Sequence, residues 1–371
     1  MRAITLIPGV ANSARLDHDI AEPPVSDGSI LVQALALGVC GTDREIVSGI
    51  YGEAPEGSER LVLGHESLGE VIEAPQGCGF AQGDRIVGIV RRPDPVPCPA
   101  CAAGEWDMCR NGRYTERGIK GRNGYGAERF RLEPDFSVKV DASLGMLGVL
   151  MEPSSIVAKA WDHVERIGKR SRSWQPRRLL VTGSGPIGLL AALMGAQRGL
   201  EIDVLDLGHP GPKDQLIRDL DGRHHSGPVS DLPFKPDVVM ECTGAPSVIA
   251  AVTGCTAPGG IICLLGLGAD HPMTFDIGQF NRKLVLGNEA IFGSVNANRR
   301  HYGMSPASSA AMFWLLAPTL SESTRNWKPA SASRPNESTR MATRASIIEK
   351  PAWPRGARIE LIGTFRPLSI A

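Results

Sequence analysis

The chain has 371 residues, enough for two domains and a substantial core. Lys+Arg and Asp+Glu both number 40, so no net charge argues for a nucleic-acid or membrane-surface partner. The N-terminus lacks the apolar stretch of a signal peptide and no run approaches about 18 apolar residues, so a cytoplasmic protein is expected, its eight cysteines serving as thiols or metal ligands.

The first stretch reads as β-rich. Ser29 to Leu37 suits a strand, as do Glu70 to Glu73 and Asp84 to Val90, punctuated by Gly and Pro. Gly38-Val39-Cys40-Gly41-Thr42-Asp43 follows the first strand, and Leu63-Gly64-His65-Glu66 precedes the second. A Cys, a His and a carboxylate at loop edges are what a zinc site uses when three protein ligands leave a fourth position open. Each alone also reads as a buried thiol or a structural histidine; they gain meaning from each other and from Glu152. Cys98, Cys101 and Cys109 follow as C-x2-C-x7-C, a metal knuckle one ligand short, with Asp94 the nearest upstream carboxylate. Glu152 precedes a helical run expected over Ile156 to Ile167, and Arg170 to Arg178 reads as a hinge.

Leu179 to Thr182 is a strand-type run that meets Gly183-Ser184-Gly185-Pro186-Ile187-Gly188, with a helix expected over Leu189 to Gly199. The glycines fall as G-x-G-x-x-G. Gly183 allows a tight turn, Gly185 clears the approach of a pyrophosphate, and Gly188 lets helix and strand pack closely. A second strand, Ile202 to Leu205, ends on Asp206, eighteen residues after Gly188 (206 − 188). That is where a carboxylate meets the adenosine ribose hydroxyls. It would repel a 2′-phosphate, and Leu207, Gly208 and His209 offer no arginine, so NAD is expected over NADP.

The α/β rhythm continues. Lys213 to Leu220 and Ser247 to Gly254 read as helices, Pro236 to Gly244 and Gly260 to Gly266 as strands with their turns, and Lys283 to Gly287 and Ala290 to Asn296 close the domain. Strands alternating with helices imply a parallel sheet covered on both faces. Cys242, Cys255 and Cys263 read as core. From about Gly303 the composition changes, and Ser321 to Arg358 buries too little to order itself. Within this tail, Ala310 to Leu316 reads as a helix and Ile359 to Ile362 as a short strand.

Together these motifs, with Tyr114 to Ile119, Glu152-Pro153 and Gly293-Ser294-Val295-Asn296, resemble the zinc-dependent medium-chain dehydrogenases, and within them the glucose dehydrogenase branch, over about Met1 to Tyr302. The resemblance implies an α/β architecture: a GroES-like β-barrel catalytic domain over 1–176, with a return segment over 297–371, and a doubly wound Rossmann domain over 177–296. It implies a catalytic zinc on Cys40 and His65, with Glu66, Glu152 or water completing the set. Thr42 would start a proton relay; Glu116 and Asn296 would join Thr42 and Glu152 at a sugar, with Asn296 also near the nicotinamide. The lobe lacks one of the usual four cysteines, Pro95 standing in its place. The implied reaction is oxidation of an aldose C1 hydroxyl, such as that of D-glucose, to the lactone, with hydride passing to NAD or NADP in a homodimer or tetramer. The alternatives are a zinc alcohol or sorbitol-type polyol dehydrogenase, and an inactive nucleotide-binding remnant whose C-terminus has been replaced.

Overall fold

A computed structural model describes residues 1–208, 211–268, 272–305 and the backbone of 360–362. The front half is built around the strand Ile30–Gly38, where buried and half-buried positions alternate through Leu35 before the strand sinks fully into the core. It pairs antiparallel with Arg129–Leu132 along one edge and with Glu66–Glu73 along the other; Arg85–Gly88 and Ser137–Lys139 extend the sheet. Register shifts at Leu31/Val32 and Ala34/Ala36 bend the strand, and the sheet curls around Val32, Val71, Ile86, Tyr125 and Phe130. The short strand Glu360–Ile362, within the stretch expected at 359–362, pairs parallel with Ala36–Gly38.

Three local features differ from the sequence reading. The second strand begins at Glu66, four residues earlier than expected, so His65 and Glu66 lie at its start. The long helix begins at Met151 rather than Ile156. Pro153 falls in its first turn, where no intrahelical N–H is needed, and Glu152 is therefore helical. A helix also forms over Gly41–Val47, directly after Cys40, where a loop edge was expected.

The second half holds a six-stranded sheet, parallel throughout, in the order Arg223–His225, Glu201–Leu205, Arg178–Thr182, Val238–Glu241, Ile261–Leu264, Ala290–Gly293. The chain enters in the middle, runs to one edge, then crosses to build the other. This is the doubly wound order, and it leaves a crevice beyond the ends of Thr182 and Glu241. Helices Pro186–Gln197 and Met151–Gly168 bury Leu190, Leu193, Trp161 and Val164 against it. Lys283 to Gly287 is the last turn of a helix, Ile277–Gly287. Among the described residues no helix is long and apolar enough to cross a membrane. The helix expected at Ala310 to Leu316 and the disorder expected across most of the tail lie outside the described residues.

Candidate active site

Two strand ends of the curled sheet deliver the first group. Cys40 caps the helix Gly41–Val47, and its backbone N–H donates to Asp43 Oδ2 at 2.9 Å. His65 and Glu66 arrive at the start of the neighbouring strand. Cys40 Sγ lies 3.2 Å from His65 Nε2, and the ligand atoms of Cys40, His65 and Glu66 all fall within 4.8 Å of one another. Asp43 Oδ1 stands 3.3 Å from His65 Nδ1, which leaves Nε2 turned toward the thiol. A side chain at Gly38 would put its Cβ 1.9 Å from Glu66 Oε2, so only glycine leaves that carboxylate in place.

The electrostatics ask for a cation. Burial, then the charge of Glu152, raises the Glu66 carboxyl above its usual range. Burial raises Glu152 as well, against the pull of His65. Burial disfavours the imidazolium of His65, yet Asp43 and Cys40 outweigh it and hold the ring well above its ordinary value. One imidazole is thus outnumbered by Cys40, Asp43, Glu66 and Glu152. Thiolate, imidazole and carboxylate are the donors zinc takes, and their spacing suits ligands about 2.0–2.3 Å from one ion. Glu152 is buried nearby but stands outside the 4.8 Å group.

Glu116 lies on the strand Thr115–Arg117 and is buried. Its Oε1 accepts from Asn296 Nδ2 at 2.7 Å and from Arg91 Nε at 3.0 Å. Asn296 has φ +62°, in the left-handed region. It follows the edge strand Ala290–Gly293, so it leaves the parallel sheet at the same end as Gly183. Thr42 is half-buried in the first turn after Cys40. In the lobe, the sulfurs of Cys98, Cys101 and Cys109 lie within 4.8 Å of one another. The Asp94 carboxylate is not in that group; it accepts from Val96 N at 2.8 Å and pairs with Arg113 at 3.2 Å.

The glycine turn has the form expected of it. Gly183 has φ +88°. A Cβ at Gly188 would lie 1.9 Å from Gly183 O, whereas one at Gly185 would meet no atom within 4 Å. Gly185 caps the helix Pro186–Gln197, whose first N–H groups face that open space. Asp206 follows Leu205 and accepts from the Ser184 hydroxyl and from Ser184 N at 3.3 Å.

Residues 26–142 match the family described as "Alcohol dehydrogenase GroES-like domain", and residues 145–326 match "Glucose dehydrogenase C-terminus". A glucose 1-dehydrogenase of Vulcanisaeta moutnovskia is 38% identical over 307 residues, covering 82% of this chain and 86% of the relative. One from Methanocella arvoryzae is 38% identical over 327 residues, covering 85% and 90%. The chain belongs to the zinc-dependent medium-chain dehydrogenases, in their glucose dehydrogenase branch. Among solved structures, the glucose dehydrogenase of Haloferax mediterranei in complex with NADP, Zn and gluconolactone superposes with a TM-score of 0.77 at 33% identity, covering 85% of this chain and 91% of that one. The family match reaches residue 326, beyond Tyr302, where the motifs read from the sequence stop.

Three residues at the site were not picked out from the sequence. Asp43 orients His65, and its signal was its place three residues after Cys40. Arg91 holds Glu116, a partner 25 residues away with no local cue. Glu241 is buried at the crevice, where Oε1 accepts from Thr243 N at 2.8 Å, from the Thr243 hydroxyl and from Thr182 Oγ1 at 3.3 Å. It fixes the loop facing the glycine turn. An acid closing a wholly apolar strand was the cue.

Proposed function

We propose that this protein oxidises the C1 hydroxyl of an aldose, such as D-glucose, to the aldonolactone and passes the hydride to NAD or NADP. The observation that carries this reading is the Glu116–Asn296 hydrogen bond. It joins a buried carboxylate of the front half to the end of the parallel sheet where dinucleotides bind. Two polar side chains there offer a donor and an acceptor to a polyhydroxylated ligand. The relatives named above as glucose 1-dehydrogenases, and the Haloferax mediterranei complex, support the same reading.

Bound zinc would supply a Lewis acid that lowers the pKa of the C1 hydroxyl, and the bound dinucleotide would supply the hydride acceptor. Cys40, His65 and Glu66 are proposed to hold the metal, with Asp43 orienting His65 and Glu152 beside it. Thr42 Oγ1 is proposed to accept the hydrogen bond of the reacting hydroxyl and start the proton toward solvent. Glu116 and Asn296 orient the sugar. The N–H groups after Gly185 bind the pyrophosphate, and Ser184, Pro186 and Ile187 shape the turn. Asp206 binds the ribose hydroxyls, which favours NAD. The lobe thiols of Cys98, Cys101 and Cys109 are proposed to hold a second ion. The domains are proposed to divide at 1–176 and 177–296, with the chain returning to the first from 297. An active dimer or tetramer in the cytoplasm completes the reading, in keeping with eight free cysteines.

The test is NADH and NADPH formation by purified full-length protein across aldoses, polyols and simple alcohols, with zinc content measured in parallel. Aldose turnover with NAD ahead of NADP is expected. Faster turnover of polyols or alcohols would replace the aldose reading. A zinc-loaded protein that binds NAD and turns over nothing would mark a remnant.

A further inference from the structure

We infer that Asp107 and Lys159 form a buried latch that positions Asn296 and Glu116 for the sugar. The inference rests on the aldose reading above. Lys159 lies in the helix Met151–Gly168, and Asp107 in the turn Trp106–Met108 of the lobe, two residues before Cys109. Their ion pair spans 2.8 Å, with side chains 2% and 1% exposed. A pair so deeply buried is costly to desolvate, and apolar residues of like volume would hold the fold as well. One further hydrogen bond from each partner goes to a single segment. Lys159 Nζ donates to Val295 O at 2.9 Å, and Asp107 Oδ1 accepts from Asn298 Nδ2 at 2.7 Å. The latch therefore grips the chain one residue before Asn296 and two residues after it.

Asn296 needs such a grip. A non-glycine residue at φ +62° is held there by its surroundings. Its Oδ1 accepts from Ala297 N at 2.8 Å, and its Nδ2 reaches Glu116 at 2.7 Å. On the far side of Glu116, Arg91 Nη2 pairs at 2.9 Å, and Arg91 Nη1 donates back to Asp107 O at 3.3 Å. The contacts close a ring: Asp107, Lys159, Val295, Asn296, Glu116, Arg91 and back to Asp107. Both proposed sugar-binding side chains are members of it. Asp107 and Lys159 act through Asn296 and Glu116 and are assigned as positioning residues.

The experiment compares Lys159→Met, the double variant Lys159→Met/Asp107→Asn, and Asn298→Ala. The single change strands the Asp107 charge and is expected to destabilise the fold. The double change removes both charges and restores stability without restoring the grip on Val295. Asn298→Ala leaves the ion pair whole and loosens the other end, while also removing the cap that accepts from Arg300 N at 3.0 Å. In the folded double variant, the aldose KM is expected to rise about tenfold with the KM for NAD within twofold. Amide exchange at residues 296–298 is expected to quicken about tenfold. Asn298→Ala is expected to move both readouts the same way. A folded double variant that keeps the aldose KM within twofold, or wild-type protection at 296–298, would overturn the latch. Aldose turnover by the unaltered protein is measured first. Its absence would sink the aldose reading alone, and the latch would then stand or fall on the exchange data.

Discussion

Gly185 and Gly188 sit three residues apart in one turn and should fail in opposite ways when a methyl is added. Gly185 has φ −72° and ψ 178°, a conformation open to any residue, and a Cβ there meets nothing within 4 Å. Gly185→Ala should therefore fold without a clash, with the gain of about 0.4–1 kcal/mol from restricting the unfolded chain offset by the poorer N-cap that alanine makes. Its methyl would occupy the space the pyrophosphate needs at the helix N-terminus. NAD should bind at least about tenfold more weakly, a loss of about 1.4 kcal/mol. At Gly188 the added carbon would lie 1.9 Å from the backbone oxygen of Gly183, which cannot swing aside. The helix must move, at a cost of about 1–3 kcal/mol. With about 2–4 °C lost per kcal/mol in a domain of this size, Gly188→Ala should melt about 2–12 °C lower without cofactor. Thermal melts with and without NAD, beside calorimetric titration, read both effects. Wild-type NAD affinity in Gly185→Ala would show that no phosphate approaches this turn, and the dinucleotide assignment would fall.

Other outcomes follow from the geometry. Asp43→Asn removes the charge facing His65 Nδ1 and should weaken zinc binding about 10–100-fold, measured by competition with a chelator; unchanged affinity would mean that Asp43 does not orient the ring. Gly38→Ala should displace Glu66 and lower zinc occupancy while leaving NAD affinity unchanged; full occupancy would remove Glu66 from the ligand set. Acid should also break the ion pair of Glu133 with Arg92. Burial alone would raise the Glu133 carboxyl, but hydrogen bonds and charge from Arg92, with Arg117, hold it at about 2. A depressed carboxyl stabilises the fold above its unfolded value near 4.5, and this contribution is lost as pH falls from there through about 2. Glu133→Gln leaves Arg92 without its 2.7 Å partner and should cost about 3 kcal/mol at pH 7 and little at pH 2; an equal loss at both would refute the linkage.

Sequence patterns exposed the parts of the molecule that are set locally. The turn at Gly183 to Gly188 was legible because each glycine answers a constraint within six residues, and Asp206 because a strand of known length separates it from the turn. Cys40, His65 and Glu66 were visible as donor types beside strand ends, although which carboxylate joins them was not. That depends on Gly38 leaving room for Glu66, a contact between neighbouring strands. The helix Gly41–Val47 was hidden because it opens on Gly-Thr-Asp, residues that also make turns, and is fixed by Asp43 reaching back to Cys40 N. The helix Ile277–Gly287 has no fully buried residue, so no core contact marks where it begins. Lys159 and Asp107 were invisible for another reason. The partners of their latch lie 136 and 191 residues along the chain, and no local pattern encodes such a meeting.

The strand Glu360–Ile362 beside Ala36–Gly38 has a consequence for how the protein is made. Between Gly38 and Glu360 the ribosome adds 322 residues (360 − 38), which takes roughly 16–64 s at about 5–20 residues per second. For that interval the edge leading to Cys40 is a bare row of amides and carbonyls, open to whatever nascent strand comes near. A strand translated long after Gly38 closes the edge that leads to Cys40. Slowing translation late in the message should therefore raise aggregation more than slowing it early.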